Sequence, residues 1–168
     1  MKYLDSVIKE SLRMYPPAVE TARFCSADTT ITSASGDIVF PKGSDILIPI
    51  MGLHYDPQYW EDPNKFNPDR FNEDNQRKIQ HFTYMPFGAG PRMCIGERLA
   101  LLEMKMALVH LLARFELLAS ARSPYPARFQ ACFNLTPEGG FWCRARPRPP
   151  RPLGQQRPSE AGELPAPA

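Results

Sequence analysis

No charge of one sign dominates this 168-residue chain: 20 lysines and arginines face 18 aspartates and glutamates, for a formal net charge of +2. A balance this even gives no electrostatic footprint for nucleic acid, and no nucleic-acid partner is expected. The small excess is also local. Residues 144–168 hold five arginines and two glutamates, which leaves 15 basic against 16 acidic residues before them. Cysteine is scarce as well. The four, at positions 25, 94, 132 and 143, form no C-x-x-C pair. That spacing argues against a zinc site and a secreted disulfide framework, so reduced thiols are expected. A signal peptide is missing, because Met1 leads straight into a charged stretch with Lys2, Asp5, Lys9 and Glu10. A long hydrophobic run is missing too: residues 99–112 are interrupted by Glu103, Lys105 and His110. No membrane anchor is expected in the chain as written. No internal repeat is found.

What is present is enough for a core, with 43% hydrophobic and 11% aromatic residues. Leu4, Val7, Ile8 and Leu12 recur at helical spacing, and Pro16-Pro17 ends the pattern, so residues 2–15 read as a helix. The period then changes. Residues 23–25, 29–32, 38–40 and 45–50 read as strands separated by Ser35-Gly36-Asp37 and Pro41-Lys42-Gly43, an antiparallel meander. Residues 56–86 carry prolines at 57, 63, 68 and 86 and no periodicity, and read as a long ordered loop. Residues 97–116 form the strongest helix, with Leu99, Leu102, Met106, Val109 and Ala113 on one side. Residues 128–135 and 141–146 read as two strands of a hairpin around Thr136-Pro137-Glu138-Gly139-Gly140. The Pro/Arg/Ala-rich stretch 147–168 cannot bury enough apolar surface to order itself.

The segment with chemical content is residues 87–96, Phe-Gly-Ala-Gly-Pro-Arg-Met-Cys-Ile-Gly. Its glycines leave backbone bare for close approach to a flat cofactor. Cys94 falls just before the long helix, where backbone N–H groups and the helix dipole favour negative charge. A thiol there is poised to be a thiolate, the form that ligates metal. Arg92 could reach an anionic group at the edge of the same cofactor. Taken alone, Cys94 can also be read as a small core residue beside a Gly-rich turn. The ten-residue pattern as a whole, however, resembles the heme-binding loop of the cytochrome P-450 family, Phe-x-x-Gly-x-Arg-x-Cys-x-Gly. Phe87, Gly90, Arg92, Cys94 and Gly96 fill every fixed position.

Two further segments resemble the same family. Glu10-Ser11-Leu12-Arg13 matches its Glu-x-x-Arg, with the two charged residues i, i+3 on one helix face. Pro68-Asp69-Arg70-Phe71 stands for its Pro-Glu-Arg-Phe, with Asp in place of Glu. The resemblance, running over about residues 2–146, implies a structural Glu10–Arg13–Arg70 cluster behind the cofactor. It also implies Cys94 as the axial ligand of heme b (iron protoporphyrin IX), with Arg23 and Arg92 near its propionates, although Arg23 can equally be read as an exposed strand residue. The implied fold is mainly α with small antiparallel β-sheets (an α+β class), of which this chain is the C-terminal part and incomplete. The implied domain is residues 1–146, followed by a disordered tail over 147–168.

The implied activity is that of a heme-thiolate monooxygenase that inserts one oxygen atom of O2 into a small apolar substrate. Its electrons come from NADPH-cytochrome reductase at the endoplasmic reticulum membrane. The wording around Gly52-Leu53-His54-Tyr55-Asp56-Pro57 resembles the clan containing xenobiotic-metabolising members. The family's Ala-Gly-x-x-Thr segment is not found in the sequence, so the separate chain is expected to be inactive. An alternative is a non-catalytic product acting by protein interaction. The arginine-flanked P-x-x-P at 147–152 is either a ligand for an SH3-like module, a disordered extension, or out-of-frame sequence past about residue 146. His54 and His110 lack a partner at ligand spacing and read as structural. Cys25, Cys132 and Cys143 read as small strand hydrophobes, and the Asn134-Leu135-Thr136 sequon is given no role.

Overall fold

The computed structural model describes residues 1–123, 127–130 and 134–149. Cys132 and the stretch 150–168, with most of the Pro/Arg-rich tail, lie outside the described residues. Helix α1 (Lys2–Met14) buries Ile8, Leu12 and Met14 together with Ser6, Glu10 and Arg13. It ends where the prolines begin: the Tyr15 N–H still donates to Ser11 O at 2.8 Å, but Pro16 and Pro17 have no N–H to continue the ladder.

The next strands are antiparallel but are not a meander. β1 (Thr21–Phe24) pairs with β4 (Asp45–Ile48), and β2 (Thr29–Ser33) pairs with β3 (Gly36–Phe40), giving one hairpin nested inside another ladder. The reason is local. Gly36, at φ 117°, closes the inner hairpin. Cys25 bridges the outer pair on, its N–H donating to Ser44 O and its carbonyl accepting from Gly43 N–H. Along β1 the even and odd positions separate, with Thr21 and Arg23 half-buried and Ala22 and Phe24 exposed. Ile50, read as the end of a strand, instead opens a short helix α2 (Ile50–Tyr55).

Residues 56–86 are mostly irregular, interrupted by a 3-10 turn (Pro68–Phe71) and a one-turn helix α3 (Glu73–Gln76). Both are capped by asparagine side chains: Asn67 accepts from Asp69 N–H, and Asn72 from Asn75 N–H. Aromatic packing orders the rest. Trp60 and Phe71 are buried, and the Phe71 and Tyr84 rings lie 4.8 Å apart. This cluster sits against α1 and α2, and the described core lies there.

Helix α4 (Glu97–Arg114) is shorter than residues 97–116, because Phe115 already begins strand β5 (Phe115–Ala119). β5 pairs not with a near neighbour but with β8 (Cys143–Pro147). The hairpin expected between 128–135 and 141–146 is therefore corrected: β6 (Phe129–Gln130) pairs with β7 (Thr136–Pro137), inside the stretch read as a turn. The strand partner chosen by 143–147 is the free edge that β5 presents. Order also extends past residue 146, since Pro147 is in β8 and Arg148 N–H donates to Arg114 O at 2.7 Å.

No residue of α4 is buried, and Leu99, Leu102 and Met106 are 60%, 53% and 52% exposed. An Asp5–Lys105 ion pair ties α4 to α1. Apolar residues stand on more than the one side expected, with Leu101, Met104 and Leu108 on other positions of the same helix. Such a helix is built to be covered nearly all round. Among the described residues, no helix is long and apolar enough to cross a membrane.

Candidate functional site

The loop before α4 is a closed backbone ring. Cys94 N–H donates to Phe87 O at 2.8 Å, Met93 N–H to Gly90 O at 3.1 Å, and Gly88 N–H to Met85 O at 3.0 Å. A 3-10 turn, Gly90–Arg92, forms its tip. Gly88 and Gly90 both take φ 74°, a left-handed backbone that a residue with a Cβ adopts at a cost. Gly96 stands at the N-cap of α4, and a Cβ there would touch Cys94 Sγ at 3.9 Å. That is an ordinary van der Waals distance, so Gly96 lies beside the sulfur without being required by it. Cys94 and Arg92 are exposed, and Phe87 is half-buried. Ile95 is fully exposed and Leu99 largely so, which leaves apolar surface uncovered next to the thiol in sequence.

Among the described residues there is no group of three or more His, Cys, Asp or Glu side chains able to hold a metal ion. A zinc ion takes three or four protein ligands. A single accessible thiol with open apolar surface suits a metal that brings its other ligands with it, and heme iron is such a metal. The residues present therefore fit the group.

Arg23 comes to the same region from β1. With Thr21, Ile48, Phe82 and Met85 it lines a cavity of about 190 Å3 that Gly88, Ala89 and Gly90 of the loop also line. Arg23 is half-buried rather than an exposed strand residue, and its Nη1 donates to Thr21 Oγ1 at 2.9 Å and to Ala22 O at 2.8 Å. Phe82 lines this cavity from a left-handed backbone, φ 66°, an uncommon state for an aromatic residue.

Behind the loop, Glu10 and Arg13 are fully buried and joined by two bonds, Nε to Oε2 at 2.8 Å and Nη2 to Oε1 at 2.9 Å. Arg70 Nε reaches Oε1 at 3.4 Å, and the Asn67 N–H donates to the same oxygen at 2.9 Å. Arg13 Nη1 donates to His54 O, and Arg70 Nη2 to Asp62 O. Asp69 is exposed and engages through its backbone with Asn67 and Asn75, so Asp in place of Glu leaves the cluster intact. The rings of Trp60 and Tyr55 lie 5.3 and 5.6 Å from the Arg13 guanidinium carbon.

His54, read from the sequence as structural, has that role here, with partners that its position in the sequence does not reveal. It is fully buried, and its Nε2 accepts the Met85 N–H at 2.9 Å. Nε2 is then unprotonated, so Nδ1 carries the proton and donates to Arg13 O at 3.0 Å. Burial is the main reason its pKa falls to about 4; the bond to the Arg13 carbonyl opposes this and the Arg13 charge adds to it. Tyr84 stacks on His54 with ring centres 5.4 Å apart, and its hydroxyl donates to Lys9 O. Burial pushes that phenol upward, so it stays protonated. His110, by contrast, is exposed on α4. Of the cysteines read as small strand hydrophobes, Cys25 is buried but lies just beyond β1, with Sγ 3.0 Å from Ala27 O, and Cys143 stands on β8 but is exposed.

A profile of the family described as Cytochrome P450 matches residues 1–144. The chain is 48% identical over 143 residues to cytochrome P450 9e2 of Blattella germanica, covering 84% of this chain and 27% of that protein. It is 40% identical over 148 residues to cytochrome P450 3A31 of Mesocricetus auratus, covering 88% and 29%. It is 39% identical over 148 residues to thromboxane-A synthase of Sus scrofa, covering 88% and 27%. The chain thus spans less than a third of the length of these relatives.

Proposed function

The chain belongs to the cytochrome P450 family, and from that premise we propose that Cys94 is the axial thiolate ligand of a heme iron and that the longer protein it represents is a monooxygenase. The family's cofactor is heme b. The observation that carries the reading is the exposed Cys94 thiol, held by the Phe87–Cys94 backbone bond in a loop that matches the family pattern at every fixed position. When bound, heme would supply O2 activation, placing one oxygen atom in an apolar substrate and releasing the other as water, with two electrons from NADPH through a reductase.

This chain's own residues hold and orient. The backbone ring fixes where the sulfur stands, and Gly96 lies beside it at the start of α4. Arg92 and Arg23 would meet the anionic propionates through charge-assisted hydrogen bonds, with Phe87 and Gly90 shaping the floor. Glu10, Arg13 and Arg70 hold α1 to the segment that leads into the loop and touch no reactant. A small apolar substrate, O2 and an NADPH-cytochrome reductase are the proposed partners of the whole protein, at the endoplasmic reticulum membrane. We also infer that the 168 residues alone do not turn over substrate, because the apolar surface of α4 stays uncovered.

A reduced, carbon monoxide-bound difference spectrum of the heme-loaded chain tests ligation. A thiolate-type Soret band is expected in the wild type and absent in Cys94→Ala. The same band surviving in Cys94→Ala would sink the assignment.

A further inference from the structure

We propose that His54 is a positioning residue for the Cys94 loop, using its two ring nitrogens to fix the loop's entry to the end of α1. One nitrogen is committed to each side. Nδ1–H donates to the Arg13 carbonyl, at the buried end of α1, and Nε2 accepts the Met85 N–H. Met85 is in turn the first residue of the loop's backbone ring, since its carbonyl accepts the Gly88 N–H, and Phe87, two residues further on, accepts the Cys94 N–H. Met85 also lines the cavity shared by Arg23 and the loop glycines. Stacking on Tyr84 holds the imidazole plane, and Tyr84 is itself tied to Lys9 O on α1. A buried Met85 N–H left without its acceptor would lose both its bond and its access to water. The segment 83–88 would then have to move to recover a partner, carrying Phe87 and its bond to Cys94.

The link to ligation rests on the proposed role of Cys94; the link to loop position does not. Two isosteric substitutions separate the two nitrogens. In His54→Gln the amide oxygen stands near the Nε2 position and keeps an acceptor for Met85. In His54→Asn the amide nitrogen stands near Nδ1 and keeps only the donor to Arg13. Native-state amide exchange of the 168-residue chain without heme reads the loop directly. In His54→Asn the amides of Met85, Gly88 and Cys94 are expected to exchange about tenfold faster, the size of one lost hydrogen bond, with the amides of α1 unchanged. His54→Gln is expected to keep the loop near wild type.

Equal acceleration in both variants, or equal acceleration of α1 and the loop in His54→Asn, would overturn the proposal and leave His54 a packing residue. Should His54→Asn fail to fold, His54→Gln decides. Loop amides protected while those of Met14 and Tyr15 loosen supports the proposal, and the reverse order overturns it. In the heme-loaded chain the thiolate-type band is expected to weaken in His54→Asn and persist in His54→Gln. Absence of that band from the wild type would count against Cys94 as the ligand, while the exchange pattern would still judge His54.

Discussion

Glu10 is a single carboxylate that accepts from two arginines and from the Asn67 backbone, with no exposure to water. Removing it leaves the Arg13 guanidinium buried without its counter-ion. Glu10→Ala should cost about 3–5 kcal/mol, measured by urea unfolding. Arg70 is part-exposed and its bond is long, so Arg70→Ala should cost clearly less than Glu10→Ala in the same assay. His54 gives the acid side. Its folded pKa of about 4 lies below the unfolded 6.5, so the unfolded chain binds more protons between these values. Stability is then complete above about pH 6.5 and falls as pH drops toward 4, by on the order of 3 kcal/mol from this residue. Urea midpoints from pH 7 to 4.5 should show a shallower decline in His54→Gln.

The same residues show what a sequence carries at this scale. Cys94, Glu10 and Arg13 stand in short local patterns, so both their chemistry and their neighbours can be read directly. The partners of His54 and Asn67 cannot be found that way. His54 meets Arg13 and Met85 across 41 and 31 residues, and Asn67 acts through a backbone N–H that its side chain does not announce.

Among the elements, α1 and the loop before α4 follow from periodicity, proline and glycine. The pairing of strands does not. Four short strands separated by turns are compatible with a meander or with nested hairpins, and the β1–β4 ladder, continued by Cys25 bonding across to Ser44 and Gly43, decides it. Helix α2 is six residues long with a glycine inside, too short for a 3.6-residue period to register. At the loop, Gly90→Ala meets no atom within 4 Å yet must adopt φ 74°. It should cost about 1 kcal/mol from backbone strain alone, visible as a lowered urea midpoint. On α4, Leu102→Glu with Met106→Lys places an i, i+4 ion pair on exposed positions. Stability should change by less than about 0.5 kcal/mol, while sedimentation velocity should show less self-association.

For the molecule as a whole, the described core gathers around Glu10, Arg13, His54, Trp60 and Phe71, and α4 reaches out from it with its apolar surface uncovered. The exposed cysteine on β8 takes on a second use in that setting. Cys94 and Cys143 are both open to reagents, and Cys25 is not. Brief alkylation of the native chain, read by mass spectrometry, should therefore mark positions 94 and 143 and spare 25. Of these three, heme should then shield only position 94, leaving Cys143 as a built-in reference that any general loss of reactivity would also silence.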